Sequence, residues 1–292
     1  MIIEFLGTGG ATTTPRPGSQ TGASRLARKH QKPPWVRTGP GLFLHGPDIL
    51  FDTSEDIWMQ LTRSNIDYIK VCFYSHWHPD HTAGRRIFET NIRSYATVPY
   101  EKTPPTDVYL PQQVAADSHK WLAIWESLMY YQNGLEVINV HVLEDGDRPV
   151  FKNAQGDDVS IKPFRLHEDY VYGFEIGTGG KRIIHCADEL YNWDPDESLK
   201  KPDLAIVAAG LFEFHPLSGE RIMQANHPLL EREATFRQTL EMADKLGAAE
   251  TYITHFEEAF DLTPETLAQV EAKLQAEGRN IRIAYDQLKI EI

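Results

Sequence analysis

The spacing of apolar and polar positions divides the chain into three stretches. The first holds short apolar runs. Ile2 to Leu6 predicts a strand that ends in the turn Gly7-Thr8-Gly9-Gly10, and Leu42 to His45 and Ile49 to Asp52 flank Gly46-Pro47-Asp48 as a hairpin. Thr53 or Ser54 then caps a helix running to about Arg63, and Val71 to Ser75 is a buried strand. In the second stretch, Trp121, Leu122, Trp125, Leu128 and Met129 fall at helical spacing, which predicts an amphipathic helix from Pro111 to about Gln132. Strands follow at 137–142, 159–164, 170–176, 181–186 and 204–208. In the third stretch helix and strand alternate: a helix over 230–246, a strand over 251–254, a helix over 264–276, then 281–285 and a last strand. Strands first and alternation later, with helices enough to cover two sheets, imply an α/β sandwich.

Composition narrows this picture. With 41% hydrophobic and 24% charged residues the chain reads as an ordinary soluble globule. No linker or internal repeat divides its 292 residues, so the expectation is one domain over 1–292 with a helical insertion around 101–135. The opening residues are too soon interrupted for a signal peptide, and no run is long and apolar enough to span a bilayer. Cys72 and Cys186 fall in predicted strands and read as core residues of a reducing compartment, so the cytoplasm is the default expectation. The net charge of −13 argues against a nucleic-acid partner. It is unevenly spread: no acidic residue lies between Glu4 and Asp48, while Arg16, Arg25, Arg28, Lys29, Lys32 and Arg37 do. A basic loop of this kind could draw an anionic substrate, or simply be solvated surface.

The densest chemistry follows the strand 71–75. His76-Trp77-His78-Pro79-Asp80-His81 reads H-x-H-x-D-H, three imidazoles and a carboxylate at the mouth of a buried strand. Such a set suits a pair of metal ions. Two ions need further donors, and His167, Asp188 and His255 each stand where an apolar run stops. His30, His45, His119, His141, His185 and His215 lack that placement and read as structural or surface residues.

This order of ligands resembles the metallo-β-lactamase superfamily, and the resemblance runs the whole chain, including Phe5-Leu6-Gly7-Thr8-Gly9-Gly10-Ala11, Leu50-Phe51-Asp52-Thr53 and Ala284-Tyr285-Asp286. The glycine-rich opening is similar to the group holding tRNA 3′-end nucleases and cyclic phosphodiesterases. Asn226-His227-Pro228-Leu229 is most similar to the phosphoribosyl 1,2-cyclic phosphate phosphodiesterases. The resemblance implies a four-layer αββα sandwich with the metals at one edge of the sheets. It implies His76, His78 and His167 on one ion, Asp80, His81 and His255 on the other, and Asp188 bridging. Asp52 would orient a ligand imidazole, its other reading being a helix cap. Some relatives carry a cysteine-rich segment in the basic-loop region, and this chain has no cysteine there.

Two divalent ions can share a hydroxide for in-line attack on a phosphodiester, with Asp80 among the carboxylates that hold them. Zinc is the expected metal, and manganese or iron fit the same donors. His227 is the candidate proton donor to the leaving group or a phosphate-binding cation; its other reading is a surface residue before a helix that Pro228 begins. The tryptophan helix is a lid, a homodimer contact or core. The expectation is therefore a phosphodiesterase acting on a small anionic substrate. A tRNA-processing nuclease is disfavoured by charge, and a lactone or carboxylic ester hydrolase remains an alternative. A redox diiron enzyme would carry a carboxylate where His78 stands.

Overall fold

A computed structural model describes all of residues 1–292. Two mixed seven-stranded sheets lie face to face. The first runs, edge to edge, Lys289–Glu291, Ile2–Gly7, Gly41–His45, Ile49–Phe51, Val71–Phe73, Thr106–Pro111 and Ile138–Leu143. The second runs Ile281–Ile283, Glu250–Thr254, Leu204–Ala208, Lys181–Cys186, Tyr172–Thr178, Asp158–Arg165 and Val150–Lys152.

Alternation along each strand sorts its side chains into layers. Phe5, Leu42, Leu44, Phe51 and Phe73 face Ile161, Phe174, Ile183 and Ile206 of the second sheet and form the central core. Leu6, Phe43, Leu50, Cys72 and Val108 point the other way, under the helices Ile57–Arg63, Gln112–Ser118 and Ile124–Met129. On the far side, Ile184, Ala205, Val207 and Ile253 pack with Met242 and Leu246 of the helix Phe236–Leu246 and with Leu267 and Val270 of the helix Pro264–Ala276. Three apolar layers between four structural ones make the αββα sandwich that the sequence predicts.

Within each sheet the strands nearest the chemistry run parallel: Ile49–Phe51 with Val71–Phe73, and Lys181–Cys186 with Leu204–Ala208 and Glu250–Thr254. Their C-terminal ends therefore open on one edge, where loops from both sheets can converge.

Among the departures from expectation, the basic loop carries the helix Gly22–His30 and the helix expected over 230–246 starts only at Phe236; three more follow. The helix expected over 111–132 is two helices, broken where Leu122 and Ala123 take left-handed backbone, and it closes in a π turn at Tyr130–Gly134. Leu128 and Trp125 join the core, while Trp121 leaves it to stack on Trp77, ring centres 5.2 Å apart. Just before it, Thr106–Pro111 is a sheet strand, so the helical segment begins at Gln112. The last departure is the helix after Asp52, which starts only at Ile57 because Asp52 and Thr53 are bonded elsewhere: Thr53 shares a hydrogen bond with the Tyr74 hydroxyl. No helix is long and apolar enough to cross a membrane.

Candidate metal centre

The H-x-H-x-D-H segment spans two conformations. His76 and His78 continue the extended chain from Val71–Phe73, and Pro79 then opens the short helix Pro79–Thr82, which carries Asp80 and His81. Proline suits that first helical position because its missing N–H would have no partner there. The fold brings Asp188 in from the end of Lys181–Cys186 and His255 from the end of Glu250–Thr254.

Two overlapping donor sets result: Asp80, His81, Asp188 and His255, and His76, His78 and Asp188, with the donor atoms of each set within 4.8 Å of one another. In the first set His81 Nε2 lies 3.3 Å from Asp80 Oδ2 and 3.4 Å from His255 Nε2. His255 Nε2 is 3.4 Å from Asp80 Oδ2 and 3.5 Å from Asp188 Oδ2, and His81 Nε2 is 3.8 Å from the same Asp188 oxygen. Donors held at about 2.1 Å around a tetrahedral ion stand about 3.4 Å apart, so these separations are those of a coordination shell. In the second set His76 Nε2 is 3.9 Å from Asp188 Oδ2. Asp188 belongs to both sets, as a bridging carboxylate must.

The donor set also fits metal by what it leaves unpaired. His76 Nε2 and Asp80 Oδ2 are buried without a hydrogen-bond partner. Buried polar groups seldom stay unsatisfied unless something else meets them. His76 is fully buried and its Nδ1 is 3.0 Å from the Ser75 hydroxyl, which leaves Nε2 as the free nitrogen.

Burial, reinforced by the charges of His81 and His78, drives the His76 imidazole well below its ordinary range, and burial lowers His78 too. Burial by itself would raise Asp80; the neighbouring His81 and His255 imidazoles outweigh it and hold the carboxyl far below its usual value. For His81 burial opposes protonation, yet Asp80 and Asp52 prevail and raise it well above normal. The same contest, won by Asp188 and Asp80, takes His255 to about 9. Carboxylates thus hold protons on the imidazoles that a metal would displace, so metal loading releases protons.

Asp52 takes the orienting position. It accepts from the Ser75 N–H at 2.8 Å and the Ser75 hydroxyl at 2.7 Å, and its Oδ2 accepts from His81 Nδ1 at 2.8 Å. That bond fixes the ring so that Nε2 faces the other donors. Asp52, Glu189 and His255 all have left-handed backbone, with φ of 62°, 57° and 60°. Such conformations are costly for residues with side chains and collect at functional sites.

The glycine turn braces this edge. Phe256 N–H donates to Thr8 O at 2.9 Å and Gly10 N–H to Phe256 O at 3.1 Å. A Cβ on Gly10 would lie 2.1 Å from a Glu257 carboxylate oxygen and 2.8 Å from His255 Nδ1. Glu257 in turn accepts from the N–H groups of Ala11 and Thr12, at 2.9 and 2.8 Å.

Two expected site residues stand elsewhere. His167 does not join the donors. Its neighbour Leu166 is buried with Val171, Leu190 and Trp193, and adjacent residues at a strand end face opposite ways. His167 is therefore exposed, lining a surface hollow of about 540 Å³ with Lys162, Phe164 and Trp193. Near His78 stand two residues that sequence reasoning missed, Tyr170 and Glu189. Glu189 Oε1 is 3.4 Å from His78 Nδ1, and its Oε2 accepts from the Tyr170 hydroxyl at 3.0 Å. Burial, then the charge of Asp188, raises Glu189 to about 7. His227 is absent from the lining of the metal-centre cavity; its Nδ1 accepts from Leu229 N–H at 3.3 Å and caps the turn Pro228–Glu231.

The cavity holds about 340 Å³, and its lining includes Trp77, His78, Asp80, Asp188, His255, Ala11, Leu211, Glu233 and Glu257. No lysine or arginine lines it. Of the basic residues expected in a loop, Arg25, Arg28 and Lys29 are exposed on the helix Gly22–His30 and Lys32 is exposed just after it, while Arg16 and Arg37 help hold the fold together. Arg37 is buried, donating to Thr8 Oγ1 and Ala284 O at 2.7 Å each, and Arg16 pairs with buried Glu258 at 2.9 Å.

Comparison with known proteins accounts for this arrangement. The family model for the β-lactamase superfamily domain matches residues 48–256, a span that takes in all six donors, and the chain belongs to that superfamily. It is a hydrolase fold with a metal centre at the sheet edge. The whole chain superposes on a diphosphatase of the PhnP family with a TM-score of 0.65, 21% identity and 97% of that chain covered. It superposes likewise on zinc-bound PqqB from Methylobacterium extorquens (TM-score 0.66, 14% identity, 100% of both chains). Human tRNase Z, short form, aligns over 100% of this chain and 99% of its own, with a TM-score of 0.58 and 16% identity. At these identities the likeness is one of fold. No curated protein sequence matches the chain.

Proposed function

We propose that this protein is a two-metal hydrolase of small phosphodiesters. The observation that carries the reading is the shared Asp188, which joins two overlapping donor sets at one cavity. Two divalent ions there, with zinc favoured by the imidazoles, would activate water and neutralise charge on a phosphoryl group. The chain's own residues supply the rest. Asp80, His81, Asp188 and His255 hold one face of the reaction centre, His76 and His78 the other, and Asp52 keeps His81 in the right tautomer.

The leaving alkoxide needs a proton, and Glu233 is better sited to give it than His227. Glu233 lines the cavity, and burial, reinforced by Asp188, raises its carboxyl to about 7. Two bound cations would offset the part of that shift owed to Asp188, so it is the burial of Glu233 that favours the protonated, donating form. The same acidic wall limits the charge a substrate can bring. A diester with one negative charge is accommodated by the ions, whereas a polyanionic RNA would face Glu233 and Glu257 with no lysine or arginine to receive it. The wall also supports a second reading, hydrolysis of an uncharged lactone or carboxylic ester.

The test is a turnover panel on the metal-loaded protein with bis-p-nitrophenyl phosphate, small cyclic phosphates, lactones and pre-tRNA. Diester cleavage without pre-tRNA processing is expected; lactone cleavage with no diester turnover would overturn the leading reading.

A further inference from the structure

We propose that Trp77 and Trp121 form a stacking platform for a planar aromatic ring, so that the diesters this site prefers carry a nucleobase or a ring of that kind. The inference rests on the phosphodiesterase reading above and extends it from the reacting group to the rest of the substrate. Trp77 stands between His76 and His78 in the chain and lines the cavity. Trp121 stacks on it, ring centres 5.2 Å apart and planes 23° from parallel, and is itself 47% exposed. Rings so placed are offset, which leaves part of each face free.

The break in the helical insertion brings Trp121 there. It belongs to the short connection between Gln112–Ser118 and Ile124–Met129, where Leu122 and Ala123 have φ of 57° and 49°. Such backbone is costly for residues with side chains and persists only where the surroundings hold it. Arg85 does the holding. It donates to Leu122 O at 3.0 Å, to Ser127 Oγ at 2.6 Å and to Thr82 O at 3.0 Å, which ties the connection to the segment just after His81. Leu122 is 49% exposed as well. The fold thus pins two large, half-exposed apolar residues beside the site, a placement that core packing does not require.

The rest of the cavity selects what covers the platform. The ions would take the phosphoryl group. Glu233 and Glu257 add to the lining and no lysine or arginine does, so a second anionic group on the substrate has no partner there. A neutral flat ring meets no such conflict, and it is the shape that two nearly parallel rings receive. Stacking of one base on an aromatic side chain strengthens binding by about tenfold or more.

Methyl ribofuranoside 2,3-cyclic phosphate and adenosine 2′,3′-cyclic phosphate share the sugar and the reacting ring and differ in the base. Their kcat and KM on the metal-loaded protein test the platform in the parent, Trp121→Ala and Trp121→Phe, with circular dichroism and metal content showing that each variant is folded and loaded. The parent should favour the adenosine ester by about tenfold or more in kcat/KM. Trp121→Ala should abolish that preference through KM and leave the methyl riboside unchanged, and Trp121→Phe should restore most of it. A parent without the preference, a preference that survives Trp121→Ala, or an equal loss of kcat on both substrates each overturns the inference while leaving the phosphodiesterase reading intact. So does a shift from dimer to monomer in sedimentation velocity with neither substrate affected, which would make Trp121 a contact between copies. A parent that cleaves neither diester overturns both.

Discussion

The two halves of the metal centre are built to different standards. Around Asp80, His81 and His255 the donors are buried, closely spaced and backed by Asp52, itself fixed by two bonds from Ser75. Around His76 and His78 the spacing is looser, His78 is partly exposed, and the backing comes from Tyr170 through Glu189. A tightly backed set keeps its metal. A looser, more open set can admit water and substrate, because an ion with an exchangeable position is what catalysis requires. The half built on Asp80, His81 and His255 is therefore expected to hold its ion more firmly than the half built on His76 and His78.

The largest expected effect comes from removing what the halves share. Asp188→Ala should leave the protein with less than one equivalent of metal and lower turnover by about a thousandfold or more, read by metal analysis beside a diester assay. If both ions stay, the bridging geometry is not what binds them. Substituting one half at a time should separate their roles. His78→Ala should give a one-metal protein whose remaining ion resists chelator, whereas His255→Ala should lose its ion at much lower chelator concentration; equal sensitivity would erase the distinction. Asp52→Asn acts one step further back. A loss of about 10–100-fold in affinity, confined to one ion, is expected from losing a carboxylate behind a ligand imidazole.

Smaller effects concern the cavity wall. Glu233→Gln should slow esters with alkyl leaving groups by about a hundredfold and barely touch bis-p-nitrophenyl phosphate, whose leaving group needs no proton. Equal slowing of both substrates would make Glu233 a structural residue. His227→Ala should change turnover by less than about threefold, since the side chain only caps a surface turn; a steep loss would return His227 to the proton-donor role.

Much of this was legible in the sequence. The strands and late helices announced themselves by period, and H-x-H-x-D-H with Asp188 and His255 named six donors that the fold unites. What escaped depends on partners far along the chain. His167 shares the strand-end placement of Asp188 and His255, yet the fold leaves it exposed while Leu166 beside it is buried. Glu189 follows Asp188 directly and reads as an ordinary surface acid until Tyr170 and His78 are brought beside it. Arg16 and Arg37 look like free positive charge, yet Glu258, Thr8 and Ala284 engage them from the distant ends of the chain. Thr106–Pro111 is a strand because two neighbours pair with it, and its own residues announce this only weakly.

Gly10 carries no ligand atom, yet it abuts both Glu257 and His255 at distances that leave no room for a methyl group. In a saturation screen scored on activity, alanine at position 10 would have to displace the Glu257 carboxylate and press on the His255 ring, so a loss there would resemble the loss of a ligand. Sorting such a screen by chemistry alone would misassign the glycine as a participant, when its contribution is to be small.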